Sequence, residues 1–225
     1  MRFFTLLRPV ITTAALGFCI VGGRAQTRAS AAAVAEAHER KGMSPRATPS
    51  DYMAHGAAGK VTVGAEFVGH FVPTDEGTYT TEDYVAVEVG LYGAPPEHVA
   101  ISFDQFGLRV NDRKQPVPGQ PFGVIFHSLK DPNWSPPESE ESKQSKTSIG
   151  TGGQQNEPKA PVHMPLPLQR AMQQHVEKVV LPDGDRPLPQ AGLLFFPYHG
   201  KETAIHSVEL IYTGPTGTVT LNLQP

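Results

Sequence analysis

Nine histidines are the residues of this chain best suited to chemistry, because a neutral imidazole is a common ligand for zinc and copper. His38, His55, His70, His98, His127, His163, His175, His199 and His206 occur singly, with no His-x-His or His-x-x-x-His pair. That spacing predicts separate, solvent-facing side chains rather than a metal centre. A blue-copper centre would add a Cys thiolate to two imidazoles, and the single cysteine, Cys19, sits in an apolar N-terminal stretch. Asp183-Gly184-Asp185 puts two carboxylates in a turn, short of the oxygen shell that calcium requires, and reads as a turn alone. There is no Gly-x-Ser-x-Gly elbow and no Ser-x-x-Lys motif. Ser139, Ser142, Ser145 and the pair Glu140-Glu141 lie in one polar tract, where water screens charge and no pocket tunes acidity. The glycines punctuate turns and form no phosphate-cradling loop. No catalytic, cofactor-binding or metal-binding residue is assigned on these grounds, and no cofactor is expected.

Aromatic side chains offer a different chemistry. Trp134, the only tryptophan, stands in a Pro-rich stretch where it could dock a partner or stack on a sugar ring; the preferred reading is that it covers an open end of the fold. Tyr79, Tyr84 and Tyr92 would make a carbohydrate-binding surface if they aligned on one exposed face. A metal-assisted hydrolase would need scattered His and Asp residues, His98 and His127 foremost, to converge only on folding.

The elements that must position these residues begin with a leader. Arg2 and Arg8 precede an apolar run over residues 9–21, and Gly22-Gly23-Arg24-Ala25 follows with small residues where a signal peptidase reads them. This order predicts a cleavable secretory signal over residues 1–25, its apolar run being too short to span a bilayer. Lipidation at Cys19 is disfavoured by the bulky Phe18. The expected destination is secreted or periplasmic, with no membrane span in the mature chain and no thiol for a disulfide. The net charge of −3 becomes −6 without the leader, from 16 Lys and Arg against 22 Asp and Glu. A chain with no basic field is a poor candidate for nucleic acid. Its 22 Gly and 22 Pro favour turns and short strands over long helices.

Residues 26–59 are expected to hold a short Ala-rich helix, 30–41, and a flexible linker, 43–59. Alternation of apolar and polar residues then predicts strands over 61–71 and 84–92, and one bulged or two separate strands over 99–103 and 106–110. A further apolar run covers 122–129. Residues 132–161 collect prolines, serines and charges and are expected to be a disordered insertion. Leu168, Met172, Val176 and Val179 fall at helical spacing within 166–181. Strands return over 193–198, 208–212 and 219–223, the last two joined by a Gly/Pro turn.

Eight short strands divided by one insertion predict an all-β fold, an antiparallel sandwich over residues 60–225 carrying one amphipathic helix. Gly192-Leu193-Leu194-Phe195-Phe196-Pro197, followed by Val208-Glu209-Leu210-Ile211-Tyr212, together with residues 61–71, resembles the immunoglobulin-like β-sandwich domains of uncharacterised proteins secreted by bacteria. The resemblance covers less than half of the chain and implies a fold rather than an activity; the antibody-type Cys, Trp, Cys pattern is absent. With every catalytic template unmatched, the expectation is a non-catalytic binding or structural module of the cell envelope, its partner an envelope protein or a surface polymer. An envelope metal-assisted hydrolase and a carbohydrate-binding module are the alternatives.

Overall fold

The computed structural model describes residues 42–136 and 163–225. The leader over 1–25, the helix expected over 30–41 and all but the first residues of the expected insertion over 132–161 lie outside them.

The strands form where apolar and polar residues alternate, and every strand pair is antiparallel. One four-stranded sheet has the order β1 (Ala54–Ala58), β2 (Val61–Gly69), β5 (Tyr84–Tyr92), β11 (Gln190–Pro197). A second has the order β13 (Gly217–Leu223), β12 (Val208–Gly214), β7 (Phe106–Val110), β8 (Val117–Pro118). Val63, Val87 and Leu194 of the first sheet share one buried cluster with Leu108, Leu210 and Leu221 of the second. The two sheets therefore close on a common interior, the arrangement of a β-sandwich. A ribbon of β6 (His98–Ile101) and β10 (Gly184–Pro187) adds Val99 and Ile101 to that interior.

The outer face of the first sheet is covered as well. Along β11, Leu194 and Phe196 point into the sandwich, while Leu193 and Phe195 belong to a second buried cluster. That cluster is completed by Val72 and Tyr79 from the hairpin β3 (Phe71–Thr74) and β4 (Gly77–Thr81), and by Met172 and Val176 of a helix, Leu166–Glu177. A strand buried on both faces needs apolar residues at consecutive positions, which is why residues 193–196 form an unbroken apolar run. No described helix is long and apolar enough to cross a membrane.

Several sequence expectations need correction. Residues 122–129 form no long strand: α1 (Phe122–Ile125) and a 3-10 turn (Phe126–Ser128) lead into the two-residue strand β9 (Leu129–Lys130). The buried apolar positions are Phe122, Ile125 and Leu129, a helical spacing, whereas Val124 is 47% exposed. Within 43–59, expected to be a linker, a 3-10 turn at Pro49–Asp51, the buried Tyr52 and edge strand β1 are ordered parts of the fold. Alanines and glycine carry the inner face of β1, so its alternation is hard to read from hydrophobicity. Residues 61–71 are not one strand: the register shifts between Phe67 and Gly69, Gly69 takes a φ of 77°, and the chain restarts as β3 with Phe71 exposed. Residues 99–110 resolve into two strands because the 3-10 turn Phe103–Gln105 carries the chain from the ribbon to the second sheet. The helix expected over 166–181, here α2 (Leu166–Glu177), ends four residues early and leaves Leu168 exposed.

Candidate functional site

Two polar clusters lie against the outer layer of the first sheet. The first is built from the segment that precedes β1. Glu66 and Glu88 are register partners on β2 and β5, a like-charge pair whose repulsion a cation between them relieves. Arg46 supplies it. Its Nε and Nη2 donate to the two oxygens of Glu88 at 3.1 and 2.8 Å, and Nη1 donates to Glu66 Oε2 and to the Asp51 carbonyl, each at 2.7 Å. The guanidinium carbon stands 4.4 Å from the centre of the Tyr52 ring. That side chain lies on Gly64 and Gly90, themselves register partners, where an added Cβ would come within 2.5 Å of a ring carbon and of the hydroxyl, respectively. Hydrogen bonding to Glu88 holds the Arg46 pKa well above its ordinary value, and burial raises that of Tyr52. The Tyr92 hydroxyl donates to the Arg46 carbonyl at 2.9 Å. The guanidinium's three donor nitrogens are all engaged within the protein, so the cluster fastens the N-terminal segment to the sheet.

The second cluster surrounds a cleft of about 500 Å³ between the α1–β9 segment, the loop that follows it and the start of α2. Its floor is apolar: Leu129 and Met172 are buried, and Phe126 and Met164 are half-buried. Its rim is polar, formed by His127, Lys130, Asp131, Trp134, His163 and Gln169. The loop positions Trp134 through an Asx turn: Asp131 Oδ1 accepts from the Asn133 N–H at 2.8 Å and the Asp131 carbonyl accepts from the Trp134 N–H at 3.1 Å. Gln169 donates to the Met164 carbonyl at 2.6 Å, fixing the entry to α2. The ring nitrogens of His127 and His163 and the indole nitrogen of Trp134 have no hydrogen-bond partner among the described residues.

Beside the cleft, on the same helix, the Tyr79 hydroxyl meets His175 Nδ1 at 2.7 Å; His175 Nε2 lies 3.8 Å from Glu76, which accepts from Lys178 Nζ at 2.8 Å. Lys178 lowers the Glu76 pKa and is itself raised by that carboxylate; burial, then Asp131 and Glu76, raise that of Tyr79. This chain of contacts ties α2 to the β3–β4 hairpin.

His38 lies outside the described residues; of the others, His70 and His175 are half-buried and bonded within the fold rather than solvent-facing. His70 is held between the carbonyls of Thr81 and Gly200 at 2.8 and 3.1 Å, His98 lies 3.6 Å from Asp185, and His199 lies 3.1 Å from Asp83. His127 and His163, 36 positions apart in sequence, line the same cleft, and His98 does not. Among the described residues no three His, Cys, Asp or Glu side chains are grouped so as to hold a metal ion. Asp183-Gly184-Asp185 leads into β10 as a turn, with Gly184 at a φ of 91° and the Asp183 carbonyl accepting from Arg186. Tyr79 is buried in the second cluster, Tyr84 packs against it and Tyr92 packs edge-on against Tyr52 at 6.2 Å, so the three tyrosines form no common exposed face. Trp134 lines a cleft with Phe126, Leu129, Met164 and Met172, which belong to or pack on the second buried cluster and not the sandwich interior. Sequence reasoning singled out Trp134 and His127 but missed His163, Phe126 and the methionines. The helical spacing of Phe122, Ile125 and Leu129 was the available signal, since it places His127 on the exposed side of that turn.

No family model matches the chain, and neither the curated proteins nor the solved structures include a significant match.

Proposed function

We propose that this chain is a non-catalytic binding module of the cell envelope, exported through its N-terminal signal, and that the Trp134 cleft is its ligand site. One observation carries the reading: a cleft of about 500 Å³ with an apolar floor of Phe126, Leu129, Met164 and Met172 and a rim that includes His127, Trp134 and His163. Clefts of that size with few polar groups are where small ligands bind. The scaffold that goes with it is an immunoglobulin-like sandwich. Two antiparallel sheets sharing one interior support that reading, with the chain changing sheets between β5 and β7 and again between β11 and β12.

Native mass spectrometry of the full chain after exposure to envelope extract tests the function. The expected result is a bound species on the wild type that is lost in Trp134→Ala and in Phe126→Ala. Metal-dependent turnover of an ester or glycoside panel, abolished by His127→Ala, would overturn it in favour of an envelope hydrolase.

A further inference from the structure

We propose that His70 is a proton-operated catch on the connection from β11 to β12: the charged imidazolium fastens that loop to the β3–β4 hairpin, and the neutral ring lets it go. The ring stands half-buried at the bend between β2 and β3, with a backbone carbonyl at each nitrogen. Nδ1 lies 2.8 Å from the Thr81 oxygen and Nε2 lies 3.1 Å from the Gly200 oxygen. A carbonyl only accepts, and a neutral imidazole carries one N–H. The neutral ring can therefore satisfy one of these contacts and turns a lone pair towards the other. The imidazolium donates to both.

The two carbonyls are not equally anchored. Thr81 is buried at the end of β4; its N–H donates to the His70 carbonyl at 2.9 Å, and its hydroxyl meets that of Ser128 at 2.8 Å. Gly200 is exposed, in a loop held at its start by the Tyr198 N–H on the Asp83 carbonyl. The neutral ring accordingly keeps its proton on Nδ1, for Thr81, and surrenders Gly200. From the loop, the Tyr198 ring packs on His70 with centres 5.9 Å apart, and the Glu202 carboxylate stands where a Cβ on Gly69 would be. Lys201 is exposed next to Gly200, and His199 lies 3.1 Å from Asp83; on the hairpin side, Glu82 is paired with Lys130. Protonation turns the His199 contact into an ion pair, so both histidines hold the loop on the acid side of their titration.

Amide hydrogen exchange of the full chain, read by NMR on both sides of the imidazole titration and corrected for the intrinsic rate, tests the catch. The N–H groups of Tyr198, Ala204 and Ile205 bond at the base of the loop or within it. Their protection is expected to fall about tenfold when His70 loses its proton, the low end for one hydrogen bond to a charged group. The fall should persist in His199→Gln, which removes the other titrating ring. It should vanish in His70→Gln, whose amide has a single donor nitrogen and no charge. Ring nitrogen chemical shifts of the wild type need no substitution, and they should show Nδ1–H as the neutral form of His70. Protection that stays constant through the titration, or that follows His199 rather than His70, overturns the catch. So does Nε2–H as the neutral tautomer, since the ring would then stay bonded to Gly200.

Discussion

The Arg46 cluster and the Trp134 cleft are both polar assemblies on the covered face of the first sheet, and they differ in what completes them. At Arg46 the carboxylates, the guanidinium and the aromatic ring close on one another: each Glu oxygen named above is met by an Arg46 nitrogen, and the ring is packed between the guanidinium and two glycines. At the cleft, Trp134, His127 and His163 surround open space. The guanidinium nitrogens of Arg46 are satisfied from within, as groups that hold a fold are, although the Tyr52 hydroxyl beside them is buried without a hydrogen-bond partner. Groups left open beside an apolar floor are available to something else. Substitutions in the first cluster should therefore move stability, and substitutions in the second should move binding.

The largest effect is expected at Tyr52. Tyr52→Ala empties the space over Gly64 and Gly90 and should cost about 3–5 kcal/mol in denaturant unfolding, the range for removing a buried aromatic ring. Gly90→Ala attacks the same contact from below and should cost about 1–3 kcal/mol, since its Cβ meets a packed ring. In the double variant the second cost should nearly vanish, because nothing is left to collide with; additive costs would show that the ring does not rest there.

Arg46→Met leaves Glu66 and Glu88 facing each other without a cation. A loss of about 1.5 kcal/mol is expected, the low end for charge-assisted hydrogen bonds because Arg46 is partly solvent-exposed. Adding Glu88→Gln should recover part of it, as a double-mutant cycle would show.

Protonation probes the comparison at both ends of the pH scale. Burial raises the pKa of Tyr52, Tyr92 and Tyr212, so the unfolded chain loses its phenolic protons first. The stability these groups contribute is complete below their ordinary value of 10.0 and declines as pH rises above it. Melting temperatures should accordingly fall beyond pH 10, and less steeply in Tyr52→Phe. Glu76 has the opposite sign: Lys178 holds its pKa below 4.5, so its contribution is present above that value and is lost as pH falls through the lowered one. Glu76→Gln should flatten that acid limb slightly.

The smallest stability change belongs to the cleft. Trp134→Ala should alter unfolding free energy by no more than about 0.5 kcal/mol, while removing ligand binding. A loss on the scale of Tyr52→Ala would turn the cleft into one more structural cluster.

Much of the sandwich interior was legible in the sequence. Val85, Val87, Val89 and Leu91 alternate with Ala86, Glu88 and Gly90, and the structure buries the first set in the main cluster. The other set was harder to interpret, because an alternation shows that two faces differ and does not show what covers the second. Ala86 lies under the helix and hairpin layer, Glu88 holds Arg46 and Gly90 carries Tyr52. The run Leu193-Leu194-Phe195-Phe196 was the one local sign that the sheet is covered on both sides.

The amino-acid order by itself marked strands over 61–67, 84–92, 106–110, 208–212 and 219–223 and the side of each that is buried, since both follow from a two-residue period; it did not mark β1, β4 or β10, nor which strands pair across the sheets. Only tertiary structure decided that Arg46 bridges two strands 20 and 42 positions away, and that His127 and His163 share a cleft. Such meetings depend on where a whole layer docks, a property of distant surfaces that no local spacing encodes.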